Sequence, residues 1–211
     1  CKSGSFPAWN DIYNEMGKAG ILSAIATANM GIDIDKEGDV PTGCDSEYII
    51  AVTNTDKNGV LNPQAGYGTT MIDIAAPGTD IYSTLPGNRW GSLTGTSMST
   101  PHVAGAVAYM HSAADKAFND SYLKDPGTAA LTLKSILLKT VTPITDLHDK
   151  TVSGGILNVN NAAAAISIYE VPVVLPEPAP TPAPPAPPIP QEPTAPQIPL
   201  VPQIPPTPPT P

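Results

Sequence analysis

The sequence lacks a basic cluster and a long apolar run, and each absence excludes a class of protein. Basic residues number 10 against 19 acidic ones, and Arg89 is the only arginine. Because proteins that bind nucleic acid use clustered Lys and Arg to neutralise phosphates, we expect no nucleic-acid partner. No apolar run reaches the roughly 18 residues that span a bilayer, so we expect no transmembrane segment. No basic stretch followed by an apolar one opens the chain, so we expect no signal peptide within it.

Cysteine is also scarce, with only Cys1 and Cys44 in 211 residues. Two cysteines are too few for a fold that depends on several disulfides. They either form one bridge, or Cys44 serves as a small buried side chain. The sequence leaves both interpretations open.

Proline is sparse in most of the chain and dense at its end. Of 27 prolines, 19 fall in the last 41 residues, which contain no glycine, lysine or arginine. Proline at this density removes backbone donors and fixes φ, so polyproline II is the only regular form open to it. We therefore predict a domain, or part of one, at residues 1–169 and a disordered Pro-rich tail at residues 170–211.

The tail has two interpretations. As a linker of about 3.1 Å per residue it reaches roughly 120 Å, and it would tether the domain to a further domain or to the cell envelope. As a ligand for an SH3 or WW groove it would be recognised through its prolines, although it lacks the basic residue that often flanks such ligands.

Helical and strand patterns alternate along the first part of the chain. The spacing of apolar residues predicts helices at 8–19, 100–118, 128–139 and 160–168, and strands at 21–28, 48–53, 71–75 and 79–84. Helices that alternate with apolar strands are typical of an α/β fold with a parallel sheet.

The strongest chemical signal is the segment GTSMSTPHVAG at residues 95–105. A Gly-Thr turn delivers Ser97 to the start of a helix of small residues, where the helix dipole is positive. The backbone N–H of Ser97 then points to the place where an oxyanion would form. Pro101 fits the first turn, whose N–H groups have no partner within the helix. The alternative is that Ser97 only caps a buried helix.

This segment resembles the nucleophile segment of the subtilisin-like serine proteases, Gly-Thr-Ser-Met-Ala/Ser-Thr/Ser-Pro-His-Val-Ala-Gly. Other segments resemble later parts of that family in the same order: residues 50–52, 75–78, 83–88 and 155–159. The resemblance covers most of residues 20–165. It implies the C-terminal half of a subtilisin-like α/β domain, a parallel sheet flanked by helices, and serine endopeptidase activity on proteins or peptides outside the cell or at its surface.

The resemblance also implies roles for individual residues. Ser97 matches the nucleophile, and Asn29 matches the asparagine whose side-chain amide helps to stabilise the oxyanion. The segment that ends at Asn29 is Ala-Thr-Ala-Asn, where the family usually has Ala-Ala-Gly-Asn. As an alternative, Asn29 simply terminates a strand. Ala26, Thr27 and Thr96 are implied to line the floor of the substrate cleft.

The family's catalytic aspartate and histidine both precede the oxyanion asparagine. The 28 residues before Asn29 contain Asp11 but no Asp-Thr/Ser-Gly motif and no histidine. We therefore expect a preceding portion to supply both groups and the 211-residue chain alone to be inactive. His102 lies about 140° round the helix from Ser97, and the matching histidine of the family is structural, so we do not expect it to be the base. The alternative is an inactive, protease-like scaffold or interaction protein on a Pro-rich spacer.

An acidic segment, DIDKEG at residues 33–38, resembles the start of a calcium loop. Asp33, Asp35 and Glu37 occupy ligand positions and Gly38 the sixth position, but the twelfth is Cys44 where an EF-hand has Glu. We expect the hydrolysis of peptide bonds on Ser97 to require no cofactor. Subtilisin-like proteases often hold structural calcium, so this segment is either a calcium site or a solvated acidic loop.

Overall fold

The computed structural model describes residues 7–170 of the chain. The helices are α1 Pro7–Lys18, α2 Ile34–Glu37, α3 Thr96–Ala113, α4 Lys116–Lys124, α5 Pro126–Lys139 and α6 Val159–Ile166. The strands are β1 Ser23–Ala26, β2 Ile49–Thr55, β3 Ile74–Pro77, β4 Ile81–Leu85, β5 Arg89–Leu93, β6 Thr142–Pro143 and β7 Gly155–Ile156. Apart from Glu170, the Pro-rich tail predicted at residues 170–211 lies outside the described residues, and so does Cys1.

Five strands form one sheet in the order β1-β2-β3-β7-β6. The first four of these strands run parallel, and β6 runs antiparallel to β7. Ser23 of β1 lies opposite Ile49 of β2, and Val52 of β2 lies opposite Ile74 of β3. The predicted α/β architecture with a parallel sheet flanked by helices is confirmed.

Alternate residues of β2 enter two separate cores, because successive side chains of a strand point to opposite faces of the sheet. Ile50 and Val52 face α3, α5 and α6, where Val103, Met110 and Leu133 are fully buried. Ile49 and Ala51 face the other side, in a smaller cluster with Ile34 of α2. Both faces of β2 are therefore covered, as its continuous apolar sequence predicts.

Helix α3 begins earlier than its apolar pattern suggests, at Thr96. Pro101 consequently lies inside α3, and its predicted place in the first turn is wrong. The helix starts at the Gly95-Thr96 turn because Asn29, distant in sequence, accepts a hydrogen bond from the Thr96 N–H. Proline has no N–H to donate, so the helix lacks the hydrogen bond that would run to the Ser97 carbonyl.

Two other predicted elements differ in the structure. The strand predicted at 79–84 is β4, which pairs antiparallel with β5 in a separate two-stranded sheet. The turn between them has positive φ at Gly87 (80°) and Asn88 (57°), which returns the chain on itself. The helix predicted at 100–118 is divided into α3 and α4, because Asp115 caps α4 by accepting the Phe118 N–H at 2.8 Å.

Cys44 is buried and disulfide-bonded. Its predicted pairing with Cys1 involves a residue outside the described range. Within residues 7–170, none of the helices has the length and apolar character needed to cross a bilayer.

Candidate active site

Ser97 is the second residue of α3 and is exposed at the N-terminal end of that helix. Its neighbours hold it in place. The Gly95 N–H donates to the Gly78 carbonyl at 2.9 Å, and the buried Ser99 hydroxyl donates to the Ala76 carbonyl at 2.9 Å. These bonds tie the first turn of α3 to the end of β3 and leave the Ser97 hydroxyl without a hydrogen-bond partner among residues 7–170.

Asn29 lies beside the same turn. Its Oδ1 accepts the Thr96 N–H at 3.0 Å and lies 3.2 Å from the Thr96 hydroxyl. That hydroxyl has a single proton, and the shorter contact is its 2.6 Å bond to the Thr27 carbonyl. Asn29 is exposed, and within the described chain its Nδ2 donates to no other group. One end of the amide therefore caps α3, and the other is open to a ligand.

The residues predicted to line the cleft floor have different surroundings. Thr96 is fully buried and Thr27 is 3% exposed, so neither side chain presents a surface to a substrate. Ala26 is half-buried at the end of β1. The predicted lining of the cleft floor by Ala26, Thr27 and Thr96 stays a prediction.

None of the three histidines is hydrogen-bonded to Ser97. His102 is exposed, and its Nδ1 lies 2.8 Å from the Met98 carbonyl, to which it donates. His111 packs against Tyr122 in a T-shaped contact, and burial lowers its pKa. His148 is exposed, 2.9 Å from Asp149. The described residues therefore offer Ser97 no histidine base.

A groove of about 360 Å³ runs between α3 and β4 next to Ser97. Its other lining residues are Ile81, Tyr82, Ser83, Met98, Pro101 and His102. Tyr82 stacks on Trp90 of β5 with ring centroids 6.2 Å apart. The sequence analysis predicted β4 but did not place it at the site. The position of β4 beside Ser97 depends on the turn to β5, which requires the positive φ angles of Gly87 and Asn88.

The acidic segment at residues 33–38 forms α2 with its caps. The Asp35 carboxylate accepts the N–H groups of Thr69, Thr70 and Met71 at 2.7 to 3.3 Å. Asp33 caps α2 and pairs with Lys36 at 2.6 Å. In residues 7–170 no three His, Cys, Asp or Glu side chains converge in a group suited to a metal ion. The carboxylates of Asp33 and Asp35 are thus engaged by protein donors, whereas Glu37 is exposed. Calcium binding by this loop stays a prediction.

The family of the protein follows from its sequence. The profile of the subtilase family, peptidase S8, matches residues 2–160, which is more than half of the chain. The chain belongs to the subtilase family. Subtilases are serine-type proteases, and Ser97 stands in the segment that carries the resemblance.

Individual relatives match parts of this subtilase. Subtilisin-like protease 2 of Plasmodium falciparum is 30% identical over 150 residues, which are 71% of this chain and 11% of that protein. Thermitase of Thermoactinomyces vulgaris is 47% identical over 70 residues, 33% of this chain and 25% of that protein. The A-subunit of the AB5 toxin from E. coli has a TM-score of 0.61 at 26% identity, over 78% of this chain and 57% of that one. The chain spans a minor part of the two curated relatives and just over half of the solved subunit.

Proposed function

We propose that this subtilase is a serine endopeptidase that hydrolyses peptide bonds through an acyl-enzyme on Ser97. The observation that carries the proposal is the exposed Ser97 hydroxyl at the start of α3, with the open Nδ2 of Asn29 on the same turn. Both groups are positioned by bonds to the ends of β1 and β3, the carboxyl edge of the parallel sheet, where α/β proteins place their ligands.

In the proposed reaction the Ser97 Oγ attacks the carbonyl carbon of the scissile peptide, and a histidine takes the hydroxyl proton. The Ser97 N–H and the Asn29 Nδ2 donate hydrogen bonds to the oxyanion of the tetrahedral intermediate. The C–N bond then breaks, and the histidine passes the proton to the leaving amine. Water attacks the resulting ester and releases the acid and the Ser97 hydroxyl.

The histidine and its orienting aspartate are proposed to come from a portion of the protein outside these 211 residues. Two observations support this: none of the three histidines is hydrogen-bonded to Ser97, and the chain covers only 57% of the solved toxin subunit. We therefore expect the 211-residue chain alone neither to cleave casein nor to react with a phosphonate.

The substrates are proposed to be proteins or peptides, and the location secreted or at the cell surface. The disulfide bond of Cys44 supports such a location, because disulfides persist in oxidising compartments and are rare in the cytosol. We propose that the Pro-rich tail tethers the protease to a further domain or to the cell envelope.

Hydrolysis of casein by the complete protein tests the proposal. We expect Ser97→Ala to lower kcat by about 10⁶-fold, the scale known for loss of the nucleophile in subtilisin. Ser92→Ala, which removes an exposed hydroxyl from β5, is the matched control and should leave the rate unchanged. A complete protein that hydrolyses nothing would favour the alternative, an inactive protease-like scaffold presented on the Pro-rich spacer.

A further inference from the structure

The loop between β2 and β3 is bonded to the backbone on both sides of Asn29. On one side, the Gly66 N–H donates to the Ala28 carbonyl oxygen at 2.8 Å. On the other side, the Gly31 N–H donates to the Gln64 carbonyl oxygen at 2.7 Å. The place of the Asn29 backbone therefore depends on this loop.

The two bonds have different supports. Gly66 is held by β2, because the hydroxyl of the fully buried Thr53 donates to its carbonyl oxygen at 2.7 Å. Gln64 is held by a side chain of the loop itself, since its N–H donates to Asn62 Oδ1 at 2.9 Å. The bond to Gly31 thus depends on the conformation that Asn62 gives to the loop.

The other end of the Asn62 amide reaches the turn that follows β3. Its Nδ2 donates to the Thr79 hydroxyl at 3.0 Å. That hydroxyl donates in turn to Oδ1 of the buried Asn54 of β2, at 3.2 Å. Both ends of the Asn62 amide are therefore engaged, one within the loop and one on the turn.

The same turn holds the residues that immediately precede Ser97. The Gly95 N–H donates to the Gly78 carbonyl oxygen at 2.9 Å. The Asp80 N–H donates to the Thr94 hydroxyl, also at 2.9 Å. These two bonds connect the turn to the start of α3. One side chain of the loop therefore links the support of Asn29 to the support of Ser97.

We propose that Asn62 is a positioning residue, which holds the Asn29 Nδ2 in place relative to Ser97. The bond from the Thr96 N–H to Asn29 Oδ1 fixes one point of the amide. A single hydrogen bond restricts distance more narrowly than direction, so the direction of Nδ2 also depends on the backbone around Asn29. The inference rests on the proposed function, because it concerns the donor that the proposed oxyanion would meet.

Hydrolysis of a peptide by the complete protein tests this role, with kcat expressed per serine titrated by a fluorophosphonate. We expect Asn62→Ala to lower kcat by about 10- to 10²-fold with little change in KM, the scale of a small misplacement at a reacting centre. Thr79→Val, which removes the acceptor of the Asn62 amide, should lower kcat in the same way. Thr79→Ser, which keeps the hydroxyl, should retain the wild-type kcat.

A double-mutant cycle separates positioning from a general loss of stability. If Asn62 acts through the Asn29 amide, Asn29→Ala should have nearly the same kcat with and without Asn62→Ala. Asn158 is the matched control, since its Nδ2 donates to the Thr142 hydroxyl at 2.9 Å and its Oδ1 accepts the Asn161 N–H at 3.0 Å. Asn158→Ala should lower Tm by a similar amount and leave kcat unchanged. Additive losses of kcat in the cycle would overturn the proposal.

Nuclear magnetic resonance of the isotope-labelled complete protein gives a measurement that needs no activity. Asn62→Ala should shift the side-chain amide resonances of Asn29, and Asn158→Ala should not. Unshifted Asn29 resonances in Asn62→Ala would contradict the positioning role, whatever the activity of the wild type. A wild type that hydrolyses nothing contradicts the proposed function, and the Asn29 shift then still decides whether Asn62 holds the amide. If Asn62→Ala does not fold, the same comparison with Thr79→Val decides.

Discussion

Asn29 shows how one side chain serves both the fold and the site. Its Oδ1 accepts the Thr96 N–H at 3.0 Å and so satisfies a donor at the start of α3. Its Nδ2 donates to no group among the described residues. The two ends of the amide can be separated by mutation, because an aspartate keeps an acceptor and loses the donor.

We expect Asn29→Ala in the complete protein to lower kcat by about 10²–10³-fold with little change in KM, since it removes an oxyanion donor. It should also cost about 1 kcal/mol of stability through loss of the cap. Asn29→Asp should lose as much activity but keep its Tm. Steady-state kinetics and thermal unfolding of both variants check this. Full activity in Asn29→Asp would show that Nδ2 does not contact the oxyanion.

Asp35 makes the stability of the fold depend on pH. Burial raises the pKa of its carboxyl group, but hydrogen bonds from Thr70, Met71 and Thr69 outweigh burial and hold the pKa below its ordinary value. A pKa lowered by folding means that the carboxylate stabilises the protein above its unfolded pKa, about 3.9. That contribution is lost as the pH falls through the lower folded value.

We therefore expect Asp35→Asn to reduce Tm at neutral pH and to flatten the fall in stability below about pH 4. Glu37→Gln, which removes an exposed carboxyl from the same helix, is the matched control. It should change neither the Tm at neutral pH nor the fall in stability at acid pH. Unfolding curves recorded between pH 2 and 7 measure the stability of both variants and of the wild type. If the stability of Asp35→Asn falls below pH 4 as steeply as that of the wild type, the hydrogen bonds from residues 69–71 do not lower the pKa of this carboxyl.

At the scale of elements, the contact between α3 and β3 determines where Ser97 sits. The two approach so closely at Gly78 that an added Cβ would lie 2.1 Å from the Ser99 hydroxyl and 2.7 Å from the Gly95 carbonyl oxygen. A side chain there must displace the first turn of α3 and with it Ser97. On the far side of the helix, a Cβ on Gly105 would meet nothing within 4 Å among the described residues.

We expect Gly78→Ala to destabilise the 211-residue chain by about 1–3 kcal/mol through overpacking. Gly105→Ala, the matched glycine of the same helix, should stabilise it by up to about 1 kcal/mol through helix propensity. Thermal unfolding of both variants tests the pair. Equal effects of the two substitutions would contradict the close approach at Gly78.

Long apolar elements were predictable, and short ones were not. The pattern located β1, β2 and β3 and helices α1, α5 and α6 because each carries continuous or periodic apolar residues, although Ile12 of α1 is 58% exposed. The two-residue strands β6 and β7 carry no periodicity, and the four-residue α2 is defined by the Asp33 cap. The start of α3 at the Gly95-Thr96 turn was predicted from the segment at residues 95–105, but the hydrogen bond from Thr96 to Asn29, 67 residues earlier, was not.

At the scale of the whole molecule, the sequence located the candidate nucleophile and oxyanion amide through short segments that resemble a family. It did not locate the β4–β5 hairpin as a wall of the groove, nor the ion pair between Lys134 and Asp73, since both depend on contacts between distant residues. The face of α3 that carries Ala104, Gly105, Ala108 and Tyr109 is exposed in the described part of the chain. An apolar helix is normally covered on all sides, so this exposure supports the proposal that further residues of the protein complete the domain.

Covalent labelling of the complete protein with a fluorophosphonate, mapped by mass spectrometry, tests the central claim most directly. We predict modification at the Ser97 hydroxyl, loss of the label in Ser97→Ala, and retention of the label in His102→Ala. No label on Ser97 in a correctly folded complete protein would contradict the assignment of Ser97 as nucleophile. Loss of the label in His102→Ala would contradict the proposal that the base lies outside these 211 residues.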